Sequence, residues 1–113
     1  MLRDLPTDLV PISDEQRAII DLVRTFAERE IRPIARAVDE ADTEVPWEIW
    51  RRASEVGITS FALPEEYGGM GLDLTTYVMI VEELSRGWIS ISGVINTHFI
   101  GSYLLVKYGT EEQ

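Results

Sequence analysis

Two adjacent glutamates, Glu82 and Glu83, and the only histidine, His98, are the residues of this chain best suited to acid–base or metal chemistry. A di-metal carboxylate site in a helix bundle needs Glu-x-x-His pairs that project inward from facing helices. Three residues after the glutamates stand Ser85 and Arg86, and His98 lies in a different segment. We therefore predict no metal site and no catalytic residue, and we expect His98 to be a hydrogen-bonded core or pocket residue.

A glycine-rich turn occupies residues 64–71, with the sequence Pro-Glu-Glu-Tyr-Gly-Gly-Met-Gly. A glycine costs a helix interior about 1 kcal/mol relative to alanine, but it permits positive φ and close backbone approach. We therefore predict a tight turn in which at least one of Gly68, Gly69 and Gly71 has positive φ. The segment is too short for a phosphate-binding loop and no strand pattern precedes it.

Charge and composition exclude several classes of function. The 113 residues, 45% of them apolar, suffice for one domain with a single core. The net charge of −10 excludes the basic surface that nucleic acids require, and it argues against a surface for pyrophosphate or for coenzyme A phosphates. The chain has no cysteine, and residues 1–4 show no targeting signal, so we expect a cytoplasmic protein.

Apolar periodicity predicts an all-α, bundle-like domain of about four to six helices over residues 13–113, preceded by an extended N-terminal arm at residues 1–12. Ser13 and Gln16 form a capping-box pattern at the start of the first helix. Pro33 should kink or break that helix near residues 29–32, because proline removes a backbone donor. We expect its charged face to be solvated: Arg24, Glu28, Arg32 and Arg36.

A second and a third helix follow. Pro46 suits a helix start, Gly57 suits the position after a helix end, and Asp73 can cap a helix that runs to about Arg86. The predicted apolar face of the second helix comprises Trp47, Trp50, Ala53 and Val56, with Trp47 or Trp50 packed on Phe26 and Leu22. The predicted apolar face of the third comprises Leu74, Tyr77, Val78, Val81 and Leu84.

The segment 87–106 contains no charged residue. Twenty such residues could span a membrane, but hydroxyl and amide side chains interrupt the run, so we predict no membrane span. We expect instead a helix that is buried on most sides and ended by Gly109. Its small and polar residues either allow another helix to approach closely or leave room for a ligand.

Three motifs give the chain a resemblance to a known family. The glycine turn at 64–71, Glu-Glu-Leu-Ser-Arg at 82–86 and Gly-Thr-Glu-Glu-Gln at 109–113 stand in the order and near the spacing of the N-terminal domain of acyl-CoA dehydrogenases. The resemblance covers nearly the whole chain. It implies that the chain is a fragment of a longer enzyme with a middle β-barrel domain and a C-terminal helical domain.

The resemblance also implies an activity and a site. The family oxidises acyl-CoA thioesters to trans-2-enoyl products with FAD, and it implies an electron-transfer acceptor and a homo-oligomer. The catalytic glutamate and most FAD contacts belong to the other domains, so this chain should be inactive alone and bind no cofactor. What carries over is one wall of the acyl pocket, formed by Ser92, Gly93, Asn96 and Ile100. The alternative is an acidic, all-helical protein-interaction module without catalysis.

Overall fold

The computed structural model describes residues 11–42 and 46–113, and within these ranges it contains helices and turns but no strand. The elements are α1 (Asp14–Phe26), a π-helical turn (Ala27–Ile31), α2 (Arg32–Ala41), α3 (Trp47–Glu55), a 3-10 turn (Glu65–Tyr67), α4 (Leu74–Gly87) and α5 (Ile89–Tyr108). The predicted all-α class is confirmed. The predicted arm at 1–12 lies almost wholly outside the described residues, so the domain boundary stays a prediction.

The start of α1 is fixed by the predicted capping box. The Ser13 hydroxyl accepts from the backbone N–H of Gln16 at 3.1 Å, and the Gln16 side chain accepts from the Ser13 N–H at 2.8 Å. The same Gln16 amide donates to the hydroxyl of Thr76 at 2.7 Å, and that hydroxyl donates to Asp73, the cap of α4. One polar network therefore joins the beginnings of two helices that are distant in sequence.

Pro33 lies just after the π-helical turn. Proline cannot donate to a carbonyl four residues earlier, and its ring crowds that carbonyl. The chain widens at Ala27–Ile31 and then continues as α2 without a break. The disturbance predicted at residues 29–32 is thus present, as a π-helical turn. Gly87, at the end of α4, approaches this turn so closely that a Cβ there would lie 3.1 Å from the Cβ of Ala27.

The core lies between α1, α4 and α5. Its largest fully buried side chains come from these helices and from the π-helical turn: Val23, Ile31, Thr76, Ile80, Leu84, Ile91 and Ile95. The predicted face of α4 is correct at Tyr77 and Leu84, whereas Leu74 and Val78 are exposed. Contact with both α1 and α5 turns Ile80 inward, so the buried sector of α4 differs from the one that its apolar residues alone suggest.

The predicted apolar face of α3 is correct at Ala53 but wrong at its first and last residues. Trp47 is 64% exposed and Val56 is also exposed, while Ile49 and Ala53, four residues apart, are buried. Trp50 is half-buried and packs against the core, but Leu22, its predicted partner, is exposed. The narrow sector that α3 presents to the core accommodates one branched and one small residue, which leaves the larger Trp47 ring outside it.

An ion pair corrects the prediction that the whole charged face of α1 and α2 is solvated. Arg24 binds both carboxylate oxygens of Glu83 on α4, with N–O distances of 3.1 and 2.8 Å. The Glu83 side chain is only 7% exposed, and its hydrogen bond raises the pKa of Arg24. Arg36, by contrast, is exposed and pairs within its own helix with Glu40.

The glycine turn has the predicted conformation. Gly68 and Gly71 have φ of +85° and +62°, and Gly57 at the end of α3 has φ of +86°. Gly69 needs glycine for a different reason, since a Cβ there would lie 2.0 Å from the carbonyl oxygen of Leu63.

We predict that Gly69→Ala lowers the free energy of unfolding of this chain by about 1–3 kcal/mol, because a backbone carbonyl must move to admit the methyl group. Gly68→Asn is the matched control. Its side chain enters open space and asparagine tolerates positive φ, so the loss should stay below about 1 kcal/mol. Urea unfolding measures both, and equal losses would contradict the predicted close contact.

We also predict that Arg24→Met lowers the free energy of unfolding by about 2 kcal/mol, because it leaves the Glu83 carboxylate buried without its main partner. The double variant Arg24→Met, Glu83→Met should recover most of that loss. Arg36→Met removes an exposed pair and should change stability by less than about 0.5 kcal/mol. A double variant that is less stable than Arg24→Met would show that the ion pair is not the source of the effect.

Candidate functional site

Helix α5 carries all four predicted site residues and is much less buried than predicted. Its buried residues are Ile91, Ser92 and Ile95, all in the first half. The expectation of a helix buried on most sides is therefore wrong. The reason is geometric: α4 and α5 form an antiparallel pair, and α4 has 14 residues against 20 in α5, so the last turns of α5 extend past their partner.

The exposed part of α5 is apolar. Among its large side chains, Ile100, Tyr103, Leu104 and Leu105 are each about half exposed, and Tyr108 more so. By length and composition alone α5 could also cross a membrane, although a single helix of this kind is weak evidence for a span. Its polar side chains Ser92 and Asn96 are hydrogen-bonded to α4, which ties the first half of α5 into the helical core.

Ser92 lies at the inner edge of the predicted site and is 3% exposed. Its hydroxyl lies 2.8 Å from the carbonyl oxygen of Ile89 and 2.8 Å from the hydroxyl of Ser85, which in turn lies 2.7 Å from the carbonyl oxygen of Val81. The two hydroxyl groups carry one proton each and share them among these three contacts. Ser92 joins α5 to α4 and presents little surface to a ligand.

Asn96 is half-buried and is oriented by a tyrosine of α4. The Tyr77 hydroxyl donates to the Asn96 side-chain oxygen at 2.8 Å, and burial raises the pKa of Tyr77. The Tyr77 ring stacks on Phe99 with centroids 4.2 Å apart, and Phe99 contacts Tyr103. The amide therefore sits beside a short row of aromatic rings, where a bound apolar group would find large flat surfaces.

Gly93 and Ile100 form the outer part of the predicted site. A Cβ at Gly93 would have no other heavy atom within 4 Å, and Ile100 is 50% exposed. Gly93, Asn96 and Ile100 occupy one sector of the helix because they are spaced three and four residues apart. The structure thus places them together on the surface, and their role as an acyl-pocket wall stays a prediction.

His98 is neither in the core nor in a pocket, contrary to expectation. Its side chain is exposed, and its ring meets the half-buried Trp50 edge to face, with centroids 4.9 Å apart. This contact links α5 to α3. Trp50 therefore has a ring of α5 as a neighbour, which its predicted packing on Phe26 and Leu22 did not include.

A polar cleft of about 210 Å³ lies on the other side of α4, between Arg24, Glu28, Arg32, Glu83 and Arg86. Its one buried carboxylate, Glu83, is engaged by arginine, and its charged walls do not suit a hydrocarbon. No group of three or more potential metal ligands is found in residues 11–42 and 46–113.

One contact was not anticipated from the sequence. The Tyr67 hydroxyl in the glycine turn lies 3.1 and 3.2 Å from the two carboxylate oxygens of Glu111, which follows α5. This hydrogen bond raises the pKa of Tyr67. It brings together the two outermost motifs of the resemblance, and that pairing of motifs is the signal from which it could have been inferred.

Several known proteins resemble this chain along most of its length. The profile of the family "Acyl-CoA dehydrogenase, N-terminal domain" matches residues 13–113. The chain is 34% identical over 103 residues to the short-chain specific acyl-CoA dehydrogenase of Clostridium acetobutylicum, covering 90% of this chain and 27% of that protein. It is 36% identical over 107 residues to the mitochondrial short-chain specific acyl-CoA dehydrogenase of Bos taurus, covering 92% and 25% respectively.

A third relative has a different activity. The chain is 39% identical over 105 residues to a 3-(aryl)acrylate reductase of Clostridium sporogenes, covering 89% of this chain and 27% of that protein. The chain spans about a quarter of the length of each of these relatives. The profile match over residues 13–113 shows that this chain belongs to the acyl-CoA dehydrogenase family and corresponds to its N-terminal domain.

Proposed function

We propose that the enzyme containing this domain removes a proton from Cα and a hydride from Cβ of an acyl-CoA thioester, giving the trans-2-enoyl product. The observation that carries the proposal is the family match over residues 13–113. Relatives named as acyl-CoA dehydrogenases in a bacterium and in a mammal support it. The proposed hydride acceptor is FAD.

The described residues do not fit a flavin diphosphate. A helix N-terminus binds phosphate through free backbone N–H groups. The first turns of α1 and α4 are already capped by Ser13 and Asp73, and α1 adds Asp14 and Glu15. α3 and α5 begin without a side-chain cap, but the first turn of α3 carries Glu48 and that of α5, Ile-Ser-Ile-Ser, has no basic residue to pair with a phosphate. The relatives are about four times as long as this chain. We therefore propose that FAD is held by the part of the enzyme that matches the remainder of those relatives, and that this chain alone is inactive.

The proposed role of this chain is to form one wall of the acyl pocket, with Gly93, Asn96 and Ile100 at its surface and the nearly buried Ser92 at its inner edge, where it holds α5 against α4. Support comes from the open space beside Gly93, the exposure of Ile100 and the absence of charged residues from 87 to 106. A hydrocarbon tail requires such a surface, because burial of an unpaired charge beside it would be costly.

The apolar second half of α5 supports a further part of the proposal, namely that other segments or subunits of the enzyme cover it. Contiguous exposed apolar surface of this kind marks interaction sites. We propose a homo-oligomeric enzyme that acts in the cytoplasm and passes electrons to a separate acceptor. A helical interaction module without catalysis would use the same surface, and the flavin content of the full-length protein distinguishes the two functions.

We predict that Gly93→Leu in the full-length enzyme shortens the longest acyl chain accepted and leaves short substrates nearly unaffected, because the new side chain fills the space beside α5. Ser102→Leu is the matched control. It places the same side chain in the same helix, nine residues further on and therefore about 180° around the helix axis from Gly93. The measurement is kcat/KM from butanoyl- to hexadecanoyl-CoA. Equal loss at every chain length would contradict the pocket assignment.

We also predict that this chain, mixed with excess FAD and then separated from free ligand, retains no flavin absorbance. The physical reasons are the capped N-termini of α1 and α4, the lack of a basic residue in the first turn of α5, and the net charge of −10. The full-length protein treated in the same way is the positive control. Flavin retained by the chain at a near-stoichiometric level would show that it forms a cofactor site by itself.

A further inference from the structure

The amide of Asn96 has a fixed orientation. Tyr77 is 7% exposed, so its phenol proton needs an acceptor within the protein, and the Asn96 oxygen accepts it at 2.8 Å. Stacking on Phe99 holds the Tyr77 ring in place. With its oxygen committed to Tyr77, the Asn96 amide presents its N–H donors elsewhere.

Those donors are unused within the part of the chain that the structure describes. Across residues 11–42 and 46–113 the Asn96 amide nitrogen has no protein acceptor. In the same residues every buried side-chain N or O atom has a hydrogen-bond partner. Because the Asn96 nitrogen has none, it is not buried and a ligand can reach it. It lies on the same sector of α5 as Gly93 and Ile100, where the proposed acyl chain would run.

We infer that the acyl group handled by this enzyme carries a neutral oxygen acceptor, a hydroxyl or a carbonyl, where it passes Asn96. The inference rests on the proposed function and specifies its substrate class. A plain hydrocarbon would cover the amide donors and remove their water without replacing it, which is costly for a buried polar group. A substrate oxygen would satisfy a donor whose direction Tyr77 has already set.

The expected acceptor is neutral because of the charges around it. A buried carboxylate requires a cation or several donors, and no lysine or arginine occurs from residue 87 to residue 106. Two arginines, Arg24 and Arg86, pair with Glu83 on the other side of α4, and Lys107 lies about three turns beyond Asn96 along α5. A hydroxyl or carbonyl needs only the hydrogen bond that Asn96 offers.

The test uses the flavin-loaded, full-length enzyme and three sets of acyl-CoAs of matched length: straight-chain, hydroxy- or oxo-substituted beyond Cβ, and ω-carboxylated. We expect kcat/KM for the best hydroxy- or oxo-substituted substrate to exceed that of its straight-chain counterpart by about tenfold or more, as one well-placed hydrogen bond allows. The double variant Tyr77→Phe, Asn96→Leu should reverse the preference. Both residues are changed so that the Tyr77 hydroxyl is not left buried without its acceptor. Ser102→Ala, which removes a hydroxyl about 120° around the helix axis from Asn96, should retain it.

The outcomes separate this inference from the function on which it rests. If the flavin-loaded enzyme oxidises none of the acyl-CoAs, the proposed function fails. If it oxidises straight-chain acyl-CoAs with no preference for the substituted ones, the function stands and the inference is overturned. A preference for ω-carboxylated substrates would contradict the inference that the substrate's oxygen acceptor is neutral. A preference for hydroxy- or oxo-substituted substrates that persists in the double variant would contradict the role of Asn96.

Discussion

The register of α4 between α1 and α5 is the constraint on which the rest of the structure depends. Apolar contacts alone would allow packed helices to slide, whereas a hydrogen bond between two given side chains is satisfied in one arrangement. Thr76 and Glu83 bond to α1, and Tyr77 and Ser85 bond to α5. α4 therefore transmits a fixed alignment from the first helix of the domain to the last.

The position of the candidate site follows from this alignment. The contact between the hydroxyls of Ser85 and Ser92 sets how closely α5 approaches α4. The hydrogen bond from Tyr77 to Asn96 sets the rotation of α5 about its own axis. Gly93 and Ile100 are turned outward as a result. The polar residues in an otherwise uncharged helix thus serve two purposes, since those that face α4 bind α5 in place and Asn96 also retains donors toward the outside.

Helix ends could be predicted from the sequence, because local chemistry decides them. Ser13, Asp73 and Gly57 stand where capping rules place them, α5 ends just before Gly109 as expected, and the glycine turn has the backbone that its composition demands. Buried faces could not be predicted so well. Their orientation depends on which helices meet, and the bonds that decide it join residues 7 to 60 positions apart, such as Ser85 with Ser92 and Gln16 with Thr76. The uncharged stretch identified α5 as unusual, but only the structure shows that the apolar side chains of its second half are exposed to solvent.

The distribution of buried residues along the chain has a consequence for biosynthesis. Within the described ranges, the core side chains all lie between Ile19 and Ile95, and the second half of α5 contributes none. A ribosome releases the chain from its N-terminus, and domains generally fold in that order. The core can therefore close while the later turns of α5 are still emerging. Those turns would then leave the ribosome after the core has closed, as an apolar extension of a helix whose first half is already fixed.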